Sequence, residues 1–309
     1  FSPSSLKHPK TMTIKSFNLQ QWFLISILLR LIVMPFSIHS DLLFIYQMPH
    51  IFSHGAWNIY EIARDNYNVH YYPPFTMIFF AFIQTIFRLL SPSFEELTHS
   101  FIFSKMTEVY VSEHLFFSLF LMKLPYLIFD CLLILVCWRM LPNNKSARIF
   151  TVFWAVNPLV IYSSFMFGQF DLIPAFFVVL ACYFSLQRGR EQYASLSIAS
   201  GCLFKVFPII FLPVVLLISY RNLRDLVRLS LFGIVPVLFF YGVFYLISGE
   251  AVLKLFFVFS YNTKFSFDVK IFLLRCCQAL TYILVCLHIL FSNREKLNYT
   301  SLIQYFLVI

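Results

Sequence analysis

The chain is dominated by apolar runs long enough, or nearly so, to cross a lipid bilayer, at 20–38, 115–138, 148–167, 171–187, 229–248 and 269–291. A spanning helix needs about 20 such residues. The bilayer core holds no water to satisfy free N–H and C=O groups, so each run has to close its own hydrogen bonds as a helix. Two shorter runs, 193–204 and 207–220, surround Lys205 and Pro208 and read as one helix, a break and another helix. The run 73–90 opens on Pro73-Pro74 and is followed by a weakly hydrophobic stretch, 93–113, so this region is a short pair of helices or a re-entrant hairpin. The fold class is therefore all-α, a polytopic transmembrane bundle of about ten membrane-embedded helices.

Composition closes off the soluble alternative. With 60% of residues hydrophobic and 12% charged, a water-soluble globule has no material for its exterior. The seven Cys fall mostly inside apolar runs, as at Cys131, Cys137, Cys182 and Cys286, in none of the spacings of metal or redox sites. They read as small packing residues. The first apolar run follows a polar segment with no small-residue cleavage site after it, so it is expected to stay as a signal anchor. The chain begins at Phe1 and stops inside an apolar run at Ile309, so part of the native protein is expected to lie outside it.

A formal charge of +9 invites a nucleic-acid partner, but its placement argues for membrane topology instead. Lys and Arg in short loops resist translocation and mark the cytoplasmic side. The basic clusters are Lys7, Lys10, Lys15; Arg139, Lys145, Arg148; Arg188, Arg190; Arg221, Arg224, Arg228; and Arg294, Lys296. Only Glu191, Asp225 and Glu295 are acidic there, whereas Asp41, Glu61, Asp65, Glu95, Glu96, Glu108, Glu113, Asp171, Glu250 and Asp268 lie in the intervening segments. This alternation gives a cytoplasmic tail at 1–19, a core module at 20–220 with a long outer loop at 39–70, and C-terminal transmembrane helices at 221–309. The outer face is the acidic one, and no nucleic-acid role is expected.

Several polar residues stand out on that face. Asp41 lies just past the first span among aromatic residues, where partial desolvation raises a carboxylate's affinity for a proton and suits it to general-base work, although a solvated loop acid is the plainer reading. The loop 39–70, with Trp57, Tyr60 and Tyr67, is long enough to lie along the interface as short amphipathic helices and form a lid. Gly168-Gln169-Phe170-Asp171 sits between two spans with almost no loop, so Gln169 and Asp171 are held at the membrane surface. Asp171 there is a helix N-cap, a binding residue, or both. Lys205 either snorkels to lipid headgroups or holds a phosphate as a point charge beside the loosened backbone at Pro208. Lys123 and Asp130 share one helical face, and Asp130 reads as structural.

Taken in order, His39-Ser40-Asp41 with Tyr46, Gly55 with Asn58-Ile59-Tyr60, Tyr72-Pro73-Pro74, Lys123-Leu124-Pro125 with Asp130, Asn157-Pro158, Gly168-Gln169-Phe170-Asp171 and Phe204-Lys205 through Pro208 resemble the membrane-embedded polyprenyl-phosphate-sugar-dependent glycosyltransferases of the GT-C fold. The likeness covers roughly 20–220. It is closest to the bacterial polyprenol-phosphate-mannose branch and weaker to the catalytic subunit of the first GPI mannosyltransferase. The resemblance implies Asp41 as catalytic base in the first outer loop, with Lys205, Gln169, Asp171, Tyr72 and His39 in substrate binding. This chain has a single acid at that position, with no second Asp two residues away, and no metal is assigned.

The expected function is inverting transfer of a sugar, mannose by family likeness, from a polyprenyl phosphate to an acceptor hydroxyl on a glycan or glycolipid. The expected setting is the non-cytoplasmic face of a bacterial-type inner membrane. The lipid-linked sugar is the donor, no cofactor is called for, and no glycine-rich phosphate loop occurs. Two rivals belong to other classes. A secondary transporter places its polar residues near the midplane of related halves, a pattern this chain lacks. A non-catalytic subunit of a larger complex would copurify in fixed stoichiometry without transferase activity.

Overall fold

The computed structural model describes residues 18–66, 72–91, 94, 98, 114–141, 143–219, 222–253 and 280–289, and among these every regular element is helical. In chain order they are α1 (Leu19–Val33), α2 (Ser40–Ser53), α3 (Ile59–Asn66), α4 (Pro74–Leu90), α5 (Leu115–Met140) and α6 (Asn144–Ala155). There follow α7 (Pro158–Met166, mostly a π turn), α8 (Leu172–Ser185), α9 (Glu191–Phe204), α10 (Leu212–Ser219), α11 (Leu223–Ser248) and α12 (Leu280–Ile289). Three segments, Leu19–Phe36, Leu115–Met140 and Leu223–Val252, are individually long and apolar enough to cross a membrane. The tail 1–17, nearly all of the stretch 93–113 and most of the run 269–291 lie outside the described residues.

The expected single span at 148–167 is instead two helices, α6 and α7, bent by 48°. Pro158 has no N–H, and its ring clashes with the carbonyl four residues before it, that of Trp154. The first helix therefore stops at Ala155, and Asn157 starts the next by accepting from the Leu159 N–H at 3.0 Å. Arg30 takes the carbonyls left at the break. From α1 its Nη1 donates to Ala155 O at 2.5 Å and its Nη2 to Trp154 O at 2.9 Å. Its Nε donates to Asp130 Oδ2 at 2.9 Å, and the Trp154 indole N–H donates to Asp130 Oδ1 at 2.6 Å. Asp130 is thus structural, as its sequence position implied, and its fully buried partner Arg30 supplies the countercharge such depth demands.

Lys123, on the same face of α5, closes the end of α1. After Val33 the chain tightens into a 3-10 turn, Met34–Phe36, opened by Pro35. The buried Lys123 ammonium donates to Met34 O at 2.8 Å, Ser37 O at 2.5 Å and Ser37 Oγ at 2.8 Å. These contacts satisfy carbonyls that a helix end leaves open.

The described part of the segment 39–70, up to Asn66, does fold as short helices, with Tyr67 outside the described residues, but α2 is no lid. Leu42, Leu43, Ile45 and Tyr46 are buried in the main core beside Phe80 and Phe87 of α4 and Leu119, Met122 and Tyr126 of α5. The helix carries too much apolar surface on too many sides to rest at an interface. Tyr46 also donates to Met122 O at 2.5 Å, and Gln84 donates to Tyr46 O at 2.6 Å. The core runs up through Phe165, Phe170, Ile173 and Phe204 to the polar cluster described below. The disulfide-free cysteines Cys182 and Cys202 pack in apolar clusters, as the sequence implied.

α8 and α9, with 14 residues each, pack antiparallel across a turn that contains Arg188 and Arg190. The start of one meets the end of the other, about 21 Å from that turn at 1.5 Å per residue. The break after α9 falls where the sequence placed it. Pro208 would clash with Phe204 O, so Lys205 is extended (φ −146°, ψ 146°) and a 3-10 turn, Phe207–Phe211, leads into α10. Thr76 of α4 donates to Phe204 O at 2.9 Å, holding the buried helix end.

Candidate active site

The polar residues singled out along the sequence converge at this end of the α8–α9 pair. Asp41 sits in the first turn of α2, and its Oδ2 accepts from Gln169 Nε2 at 2.5 Å. Gln169 Oε1 in turn accepts from Lys205 Nζ at 3.2 Å. Lys205 closes the chain of contacts with an ion pair to Asp171 and lies 4.8 Å from the centroid of the Phe170 ring. Gln169 therefore bridges carboxylate and ammonium with the two ends of one amide, which fixes its orientation.

Asp171 does not cap α8. The cap would be taken up by the N–H of the second or third helical residue; here Ile173 N already bonds Phe170 O at 2.9 Å, and the third residue is Pro174, which has no N–H. The carboxylate is left free to reach Lys205. Lys205, in turn, does not snorkel: its side chain is three-quarters covered, whereas that of Asp171 is half exposed.

His39 and Tyr72 complete the surround. His39 Nδ1 accepts from the Asp41 backbone N–H at 3.1 Å and so caps α2. The same nitrogen stands 3.6 Å from Asp41 Oδ1, but a lone pair already used by the N–H leaves no proton there for an ion pair, and the shorter contact governs. The proton then sits on Nε2, and the ring stacks on Phe167 at 3.5 Å between centroids. Tyr72 lies ahead of α4, its ring edge-on to Phe170 at 5.1 Å and its carbonyl accepting from Tyr60 OH at 2.6 Å. Burial, and then the carboxylates of Asp41 and Asp171, raise its phenol well above the ordinary tyrosine value, so it remains a hydrogen-bond donor.

One glycine makes the arrangement possible. Gly168 has φ +83°, and a Cβ there would lie 2.6 Å from Leu42 Cβ, next to Asp41. Gly189 has a similar φ of +80° with open space around it. The left-handed backbone alone costs a non-glycine residue about 1–2 kcal/mol, and overpacking adds about 1–3 kcal/mol. Gly168→Ala is expected to melt well below Gly189→Ala, because only the first substitution meets both penalties. Equal melting temperatures in detergent would show that α2 and the Gln169 loop are not in tight contact.

An apolar cavity of about 400 Å³ runs from Ala175 and Phe207, near the polar cluster, past Val178 and Cys182 to Met140 and Leu141 at the far end of α5, and no residue of the cluster itself lines it. Ala175 is one turn past Asp171, to whose carbonyl its N–H bonds at 3.1 Å, and Phe207 is two residues past Lys205. The structure thus unites the six residues that the sequence marked. What sequence reading missed is Arg30, whose signal is a lone guanidinium within the first apolar run and a lone carboxylate, Asp130, within another.

A charged cluster at one end of a helical bundle, with an apolar cavity beneath it, suits chemistry on a substrate with a polar head and a lipid tail. The family model of glycosyltransferase family 87 matches residues 70–303, well over half of the chain. The matched region contains Tyr72, Gln169, Asp171 and Lys205 and begins after His39 and Asp41. No curated protein and no solved structure matches the chain. By the family match the chain belongs to glycosyltransferase family 87, a family of the GT-C type, and is a glycosyltransferase with helices that can span a membrane.

Proposed function

We propose that the protein transfers a sugar, mannose by family likeness, from a polyprenyl phosphate to an acceptor hydroxyl with inversion, using Asp41 as the base. The observation that carries this reading is the contact chain Asp41–Gln169–Lys205, which couples a proton acceptor to a cation through one amide. The acceptor oxygen attacks the anomeric carbon as Asp41 removes its proton. The bond from that carbon to the phosphate oxygen breaks, its electron pair stays on the phosphate, and polyprenyl phosphate leaves. Lys205 meets the charge that grows on this phosphate. Gln169, Tyr72 and the Nε2–H of His39 orient sugar and acceptor. The apolar cavity beneath Asp171 gives the lipid tail a place to lie.

The assignment of this chemistry to the non-cytoplasmic face follows from loop charge. Arg188 and Arg190 lie at the turn between α8 and α9, a helix length away from Asp171 and Lys205, and basic turns stay in the cytoplasm. The same rule gives the N-terminus a cytoplasmic position, and the likeness to the bacterial branch supports an inner membrane of bacterial type for a bundle that hydropathy puts at about ten helices.

In liposomes the purified protein is expected to transfer sugar from a polyprenyl-phosphate donor and not from a nucleotide sugar. Lys205→Ala should lower the rate about 10²- to 10³-fold, the scale seen when one transition-state donor is removed. Transfer from the nucleotide sugar alone, or a Lys205→Ala variant as fast as wild type, would refute this reading.

A further inference from the structure

The Lys205–Asp171 ion pair presents a difficulty for donor binding that the geometry itself resolves. Among the described residues of the contact chain, Lys205 is the ammonium; the Asp171 carboxylate pairs with it directly, and the Asp41 carboxylate is linked to it through the neutral Gln169. The cluster therefore already has more negative than positive charge before any phosphate arrives. Adding an anion beside an intact Lys205–Asp171 pair sets it against two carboxylates with no free cation.

We infer that Asp171 is an internal counter-anion which the donor phosphate displaces from Lys205, and that this one-for-one exchange selects a singly charged phosphodiester over a diphosphate. Three features support the exchange. Asp171 is half exposed while Lys205 is mostly covered, so the carboxylate is the partner that can swing away. Ile173 N–H is engaged and Pro174 has none, so no helix cap holds the carboxylate in place. Lys205 stays fixed throughout by Gln169 and by the Phe170 ring, which preserves the cation site for the incoming anion.

The selectivity follows from charge counting. A phosphodiester carries one negative charge and replaces one carboxylate on Lys205, leaving the charge around that ammonium unchanged. A diphosphate brings at least one more negative charge toward Asp41, and Lys205 is already matched by the first. Asp171 acts before chemistry, as a specificity-determining residue: it sets which anion can enter, and its release is part of binding.

This inference rests on Lys205 holding the donor phosphate, and the test separates the two. Binding of farnesyl methyl phosphate, a phosphodiester, and of farnesyl diphosphate is measured by calorimetry on the purified full chain, with melting temperatures to confirm folding. Asp171→Asn and Asp171→Ala are both expected to bind the phosphodiester roughly five-fold more tightly, the scale of a half-exposed ion pair. They should gain more for the diphosphate, so that selectivity narrows. The gain should vanish when Lys205→Ala is added. Weaker phosphodiester binding in Lys205→Ala with no gain in either Asp171 variant would overturn the counter-anion role and leave the phosphate site standing. Unchanged binding in Lys205→Ala alone would overturn both.

Discussion

Asp41→Asn is expected to lower sugar transfer about 10²- to 10⁴-fold, the range that a positioned general base contributes, while leaving donor binding no weaker than wild type and melting temperature close to it. The substitution is nearly isosteric, and the new amide oxygen can still accept from Gln169 Nε2, which now donates to Asp41 at 2.5 Å. The His39 contact to the backbone N–H of residue 41 is also retained. The capacity to take a proton is lost, and with it one negative charge beside the phosphate site. The measurement is the initial rate in liposomes with a radiolabelled polyprenyl-phosphate sugar, alongside a melting curve. A folded variant within ten-fold of wild type would remove Asp41 from the chemistry and leave the cluster as a binding site alone.

Arg30→Met is expected to have the largest effect on stability, about 3–5 kcal/mol, because removal of one partner from a buried ion pair leaves the other charge uncompensated. Here the loss is wider than a pair. Asp130 keeps only the Trp154 indole, the Ala155 carbonyl loses its guanidinium donor, and the Trp154 carbonyl is left with the Asn157 N–H at 3.4 Å, at the point where Pro158 has already broken the helix. Adding Asp130→Leu to Arg30→Met removes the orphaned carboxylate but does not restore the donors at the helix break, so the double variant should recover only part of the loss. Unfolding in mixed micelles provides the comparison. Full recovery in the double variant would mean that the ion pair, and not the helix break, is what Arg30 serves.

Much of the candidate site was legible in the sequence because the residues are conspicuous against lipid: Gln169, Asp171 and Lys205 are polar groups among apolar neighbours, where an unused polar group is costly. The break at Pro208 indicated where α9 ends, since proline acts locally, whereas Pro158 lies inside a run that reads as one span and its break was not legible from hydropathy. The packing of α2 was not legible. Its 14 residues are too few to span, and the aromatic residues of 39–70 suit an interface as well as a core. Burial is decided by partners far along the chain, Phe80 and Met122 among them. Arg30 was missed for the same reason, since its meaning appears only beside Asp130, 100 residues later. The capping role of Asp171 was settled by Pro174 and the Phe170 carbonyl, a detail of a single turn.

The contact chain through Gln169 also bears on how the protein is made. Gln169 lies 128 residues beyond Asp41, and Lys205 a further 36, so on the ribosome the base is synthesised first, its amide partner much later and the ammonium last. Until α8 has been inserted, Asp41 waits beside the first span with neither of them and Gly168 cannot dock on Leu42; until α9 has followed, it still lacks Lys205. The complete site is therefore a product of late insertion, and a nascent chain that stalls before Lys205 carries a carboxylate but no enzyme.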